Sequence, residues 1–340
     1  MMTMYRYHPV LLLSCLSSVH VWNTVMPVDA FSPLFSSYKR SEATTTPSFG
    51  TWMNAQQEDT DGNVLVPQSF DEIVLRRTAC KKFQPYTCTT SSNNSSAQQP
   101  LTSNPTVVQQ ARHCLQLAQH APSSFNTQPY KIILVHSPAQ KQQLAKYALG
   151  PNQQRVLDAD CTAVFCADRQ VLCTLPKFLR WLNQQDLQTR NQPTPKKIQL
   201  QMAVYITLFS SGYPLPRILA APISFLVRNI LALVGCLARW LRIYVFPSLS
   251  SAETWTVKQC LLTAMTYMLG CSSRGLDTAP MEGINAAGIR RVLKIPKRYA
   301  IPLIIATGTR AKQTSKTTTT ATPRYPTEDM IFDNQFGTTM

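Results

Sequence analysis

The sequence predicts an α+β chain, with helices packed over a mixed central sheet, on three observations. Apolar residues recur at helical spacing in Val107–Ala118, and Ala252–Arg274 has the length and apolar density of a central buried helix. Three short continuous apolar runs, Tyr130–Val135, Thr162–Ala167 and Ala300–Gly308, have the length of buried strands. Helical and strand-like runs alternate along the chain, which stacks helices on a sheet. With 340 residues, 44% apolar and 15% charged, the chain holds enough apolar side chains for one large domain or two small ones.

The elements follow in order. Val10–Trp22 is a short apolar run behind Arg6, and Val28 and Ala30 are the small residues of a cleavage site, so residues 1–30 read as a signal peptide. Residues 31–66, opening on Phe31 and free of acids until Glu42, read as a transit peptide or flexible leader. The pair resembles the bipartite address of complex plastids; ordinary secretion is the alternative. The folded domain is expected over 67–340. Ser69–Glu72 is a capping box that opens a short helix, and 86–106, rich in Ser, Asn, Gln and Pro, reads as a flexible surface loop. The Val107–Ala118 helix delivers the chain to the stretch APSSFNTQPY, Ala121–Tyr130, and the first strand follows. Pro138–Leu149 reads as a helix, Thr162–Ala167 as the second strand, and Gly275 as the stop of the long helix.

Several function classes fall away. With Cys15 removed, nine cysteines remain, an odd number without a CxxC pair, which is no disulfide framework. His113, His120 and His136 form neither HxxxH nor HExxH, so no metal site is expected. The 11 glycines include no GxGxxG or GxxxxGK[ST], and any phosphate must be held by side chains. The net charge of +16 is uneven: Thr174–Ala252 holds nine Lys or Arg against one Asp, which speaks against a general nucleic-acid footprint.

The middle segment, 174–251, is expected to be helical. Its Leu215–Phe246 run is apolar but interrupted by Arg217, Arg228, Arg239 and Arg242, which fall on one side of a helix, with Pro222 kinking its first turns. No uninterrupted apolar run reaches the ~18 residues of a bilayer span. Two readings stay open: a basic amphipathic helix on an anionic membrane surface, or a core or dimer-interface helix pair with snorkelling arginines.

Four segments in order carry a family resemblance: RRTACKKF (Arg76–Phe83), APSSFNTQPY, PNQQRVLDADCTAVFCAD (Pro151–Asp168), and AETWTVKQ with GLDTAPMEGI (Gly275–Ile284). They resemble the FMN-dependent nitroreductases from about Ser69 to Phe336, apart from the middle segment. The resemblance implies an obligate homodimer with two FMN sites at the subunit interface. Pro122, Ser123, Ser124 and Asn126 would come from one subunit. Arg77, Lys81, Asn152, Arg155, Glu282, Gly283 and Arg324 would come from the other, and Thr78, Ala79, Pro280 and Met281 are implied in the FMN site as well. Arg77 and Arg324 are implied for the phosphate, and Lys81, with Asn152 and Arg155 alongside, for the ring edge that gains negative charge. The Glu282–Gly283 turn would give a main-chain N–H to N5. Lys81 and Glu282 are thus the implied catalytic positions, and the serines are donors, not nucleophiles.

The activity implied is ping-pong: NAD(P)H reduces the flavin, and a quinone, nitroaromatic or enone takes the electrons. The alternatives are a reductive dehalogenase or flavin-degrading relative, or a non-catalytic flavin-binding protein at a membrane surface. The middle segment would cover the flavin. Two departures stand out. Ala79 lies where the family often has serine, a loss of one hydrogen bond of about 1 kcal/mol. Thr322 lies where lysine often precedes the last arginine, with Lys312 or Lys316 as substitutes.

Overall fold

The computed structural model describes residues 69–85, 104–210, 217–240, 250–311 and 324–338. All of them lie in one compact unit, Pro67–Met340; the other unit, Met1–Val66, with the expected signal and transit segments, lies outside the described residues, as does most of the 86–106 loop. Lys312, Lys316, Thr322 and Arg242 lie outside them too.

Five strands form one sheet: β1 (Tyr130–Val135), β2 (Cys161–Asp168), β3 (Asp277–Met281), β4 (Tyr299–Ala300) and β5 (Ile304–Gly308). The order is β1-β2-β5-β3, with β4 beside β2, and every ladder is antiparallel. The sheet is mixed only through a parallel bridge between Ala79 and Thr278. Register pairs Ile132 with Phe165 and Val164 with Ile304.

β2 is buried along its whole length because helices cover both faces. Side chains alternate along a strand, so Val164 and Cys166 enter one core with Leu144, Val156 and Ile289, while Ala163, Phe165 and Ala167 enter the other with Cys260, Ala264 and Tyr267. In the second core the Tyr267 ring lies 6.1 Å from that of Phe165, and its hydroxyl shares a 2.8 Å hydrogen bond with Thr307.

The helices are α1 (Phe70–Arg76), α2 (Pro105–Ala118), α3 (Pro138–Ala145), α4 (Asn152–Asp158), α5 (Val171–Arg190), α6 (Lys196–Ser210), α7 (Arg217–Trp240), α8 (Ala252–Ser272), α9 (Ala286–Val292) and a short α10 (Thr327–Met330). Ser69 and Glu72 form the capping box expected for α1. α2 begins inside the stretch expected to be loop, since Asn104 accepts from the Thr106 N–H and Pro105 suits a first turn. α3 stops at Ala145, short of Leu149. There the chain turns so that Ala148 bridges Ile284, and Gly150 takes φ +55°.

The third apolar run divides into β4 and β5 around Pro302, which has no N–H to give a ladder. β3, Asp277–Met281, is a strand that the sequence pattern does not predict. Its Pro280 is tolerated at a sheet edge, where one side pairs with β5 and the other, among the described residues, meets the Thr78–Cys80 stretch. α8 is capped by Ser251 and ends before Gly275 at φ +75°.

Of the middle segment, the described residues form α5, which begins at Val171, α6 and α7, and both α5 and α7 continue through an internal proline, Pro176 and Pro222. Val171 and Ile206 pack with Trp255 of α8, and Phe125 of the APSSFNTQPY stretch joins them. Among the described residues, no helix is long and apolar enough to cross a membrane.

Candidate functional site

The stretch after α1 is sewn into the end of the sheet. The Cys80 N–H donates to Thr278 O (2.9 Å), the Gln84 N–H to Thr309 O (2.8 Å), and the Ala311 N–H to Lys82 O (3.1 Å). Phe83 is fully buried and anchors this stretch, while Lys81 stays exposed. Burial, and then the Asp277 carboxylate, push the Cys80 thiol up, so it remains neutral.

A chain of hydrogen bonds runs outward from Lys81. Arg155 donates Nε–H to Lys81 O (3.4 Å) and Nη1–H to Asn152 Oδ1 (2.7 Å). Asn152 donates Nδ2–H to Gly283 O (3.2 Å), which also accepts from the Leu149 N–H (3.0 Å). Residues 202 positions apart in sequence, Lys81 and Gly283, are thus tied together by α4. A Cβ on Gly283 would stand 3.1 Å from Asn152 Nδ2, close enough that the Asn152 side chain would have to shift. No described hydrogen bond uses the Gly283 N–H.

Glu282 is exposed beside it, and Pro280 is half-buried. Met281 points its side chain into the core and can offer a ligand only its main chain. Arg77 caps the C-terminus of α1, half-buried, and Arg324 is exposed at the start of the last described stretch.

The serine stretch forms a second group. The Ser124 N–H donates to Gln259 Oε1 (2.8 Å), and Gln259 Nε2 donates back to Ser124 Oγ (3.1 Å). Ser123 Oγ accepts from the Gln128 N–H (3.1 Å), and Asn126 Oδ1 from Gln128 Nε2 (3.0 Å). Both serine oxygens are therefore used as acceptors, and the hydroxyl proton is the donor each retains. No described hydrogen bond joins either hydroxyl to a histidine or carboxylate, so the setting of a nucleophile is missing. Phe125, Asn126 and Gln128 sit at φ 55°, 54° and 44°. Such left-handed backbone costs about 1–2 kcal/mol per residue, and a segment held there against that cost is characteristic of a ligand-binding turn.

Within one chain, no described hydrogen bond joins the serine group to the Lys81–Gly283 group. Beside the serine stretch opens a groove of about 670 Å³ between α2, β1 and α5, lined by Asn126 with Phe178, Trp181 and four cations, Arg112, Lys131, Lys177 and Arg298. Arg298 donates to Asp168 at 2.8 Å, yet burial dominates and holds the Asp168 carboxyl above its usual range. Among the described residues no group of His, Cys, Asp and Glu is placed to hold a metal ion.

Two participants escape a reading of the sequence. Arg310 grips Asp277 with Nε and Nη2 (3.2 and 2.8 Å to Oδ1), and the same Nη2 donates to Thr78 Oγ1 at 2.8 Å. The Thr78 hydroxyl is thereby engaged by the protein itself. Gln259, which holds Ser124, lies inside the quoted AETWTVKQ run; a glutamine buried on a helix needs a partner and was the signal available.

Residues 99–309 match the protein-family model described as the nitroreductase family. The oxygen-insensitive NAD(P)H nitroreductase of Enterobacter cloacae is 25% identical over 184 residues, covering 53% of this chain and 68% of that protein. A protein of Thermus thermophilus named NADH dehydrogenase is 25% identical over 203 residues, 59% of this chain and 76% of its own. In fold, the chain is similar to a protein of Staphylococcus epidermidis assigned as an NAD(P)H:FMN oxidoreductase, with TM-score 0.52 and 18% identity over 78% of this chain and 95% of that one. It is likewise similar to a protein of Exiguobacterium sibiricum assigned as a nitroreductase, solved in complex with FMN, with TM-score 0.51 and 17% identity over 78% and 96% of the two chains. With well over half its length matched by that family model, the chain belongs to the nitroreductase family.

Proposed function

We propose that this chain is an FMN-dependent oxidoreductase, a homodimer that takes hydride from NAD(P)H and passes two electrons to a hydrophobic, electron-poor acceptor such as a quinone, nitroaromatic or enone. The observation that carries the reading is the continuous link from Lys81 through Arg155 and Asn152 to Gly283. It gathers two cations and a main-chain approach at one sheet end, with Arg77 nearby in sequence. These residues fit FMN: guanidinium and ammonium groups suit its phosphate and the ring edge that becomes electron-rich, and the Gly283 N–H has no described hydrogen-bond partner. The relative in Enterobacter cloacae is named for NAD(P)H, and the like-folded Exiguobacterium protein was solved with FMN.

Bound FMN would supply the group that accepts and returns hydride; the chain's residues hold and tune it. Arg155 fixes the main chain at Lys81 and leaves that side chain exposed to offer its ammonium. Asn152 holds the Gly283 carbonyl, which orients the Glu282–Gly283 turn and its N–H. The Ser123, Ser124 and Asn126 turn, held by Gln259 and Gln128, would face the site of the partner chain. Exposed Leu117 on α2 and Leu261, Leu262 and Met265 on α8 offer apolar side chains through which two chains would pair. Phe178 and Trp181 of α5, beside that turn, favour an apolar acceptor.

Purified full-length protein tests this. A yellow absorbance that NADPH bleaches without air, and that menadione restores, is expected; bound flavin indifferent to nicotinamide would defeat the proposal. Lys81→Ala should slow reduction by about two orders of magnitude, and an unchanged rate removes Lys81 from the site. We also infer delivery to a plastid from the leader pattern, supported if residues 1–60 carry a fluorescent protein there.

A further inference from the structure

We propose that α7 is a docking helix for an anionic lipid surface, on which the protein lies without spanning. The helix runs for 24 residues, Arg217–Trp240, with no acidic residue. One row of it is apolar and open to solvent: Leu226 (59% exposed), Ile230 (50%), Leu233 (71%), Leu237 (37%) and Trp240 (79%), with Phe225 (61%) beside it. Spacings of four, three, four and three residues keep that row on one face. A soluble helix that packs on its own domain buries such a row; this one presents it outward.

By register, Arg217, Arg228 and Arg239, each eleven residues from the next, fall on one line of the same helix, opposite the open row. An apolar face set against a line of arginines is the pattern of a helix lying in the headgroup plane. The tryptophan at its C-terminal end suits the boundary between hydrocarbon and water.

Charge selects the occupant. From Leu187 to Ala252 the chain has seven Lys or Arg and no Asp or Glu. A second copy laid on α7 would bring two such segments together, and like charges at close range oppose that contact. A surface of phosphate-bearing headgroups answers both features at once, through burial of the apolar row and attraction to the cations. Among the described residues no helix can cross the bilayer, so the contact is peripheral. The proposal stands whether or not the chain binds flavin.

Vesicle co-sedimentation of the full-length protein decides it. The protein should pellet with phosphatidylcholine vesicles that contain phosphatidylglycerol, should pellet less with phosphatidylcholine alone, and should lose binding as salt rises. Leu233→Glu and Trp240→Glu each change an exposed position, so the fold should persist, as checked by an unchanged circular dichroism spectrum. Each should lower vesicle partitioning by about tenfold or more. Binding that survives both substitutions, binding indifferent to headgroup charge, or no binding to any vesicle would overturn the proposal. A change in the oligomeric state of either variant, measured without lipid, would overturn it in favour of self-contact.

Discussion

Gly283 has room for a hydrogen and little more on the side that faces Asn152. Adding a methyl there would press on Asn152 Nδ2 from 3.1 Å and disturb its bond to the Gly283 carbonyl. Gly283→Ala should therefore weaken flavin binding by roughly 1 kcal/mol, about fivefold, read as the dissociation constant in a fluorescence titration. Arg310 acts from beneath: with Asp277 and Thr78 it fastens the stretch that ends in Lys81. Arg310→Gln leaves the half-buried Asp277 carboxylate without its cation and should lower the thermal midpoint by several degrees, with a loss of about 1–3 kcal/mol. Lys81, Asn152, Arg155 and Gly283 were legible in the sequence because short motifs carry them. Arg310 was not, since its partners lie 33 and 232 positions away and no local pattern announces them.

At the scale of elements, β1 and β2 could be read from their continuous apolar runs, α8 from its length and apolar density, and α1 from its capping box. β3 could not. Its Pro280 and Asp277 look like turn residues, and only the edge position beside β5 makes a strand of them. The division of the third apolar run into β4 and β5 follows from Pro302, a breaker whose effect within an apolar run is visible only once the ladder is known. α9 is packed so closely on Tyr147 that a Cβ at Gly288 would lie 2.0 Å from the Tyr147 ring. Gly288→Ala should cost about 1–3 kcal/mol of stability in a denaturant melt. Burial also pushes the thiols of Cys161 and Cys166 on β2 and Cys260 on α8 up to about 12. They stay protonated and unreactive well above neutral pH. At pH 8, mass-spectrometric mapping of alkylation should find the exposed Cys173 and Cys236 labelled first, and those three only after unfolding.

For the whole molecule, the sheet with helices on both faces brings the Lys81–Gly283 group to one end and the Ser123–Asn126 turn to another place on the same chain. That division is compatible with the two-chain site proposed above. The middle segment was the least legible part, since its apolar runs fit a cover, an interface or a lipid-facing helix equally well; the exposed α7 row argues against burial within one chain, and the charge of 187–252 is the basis on which a lipid surface is proposed over a second copy. The most direct measurement is a titration of purified protein, stripped of any flavin, with FMN, followed by flavin fluorescence and native mass spectrometry. The account predicts saturation at one FMN per chain in a two-chain species. A single-chain species that leaves FMN fluorescence unchanged at every concentration would contradict it.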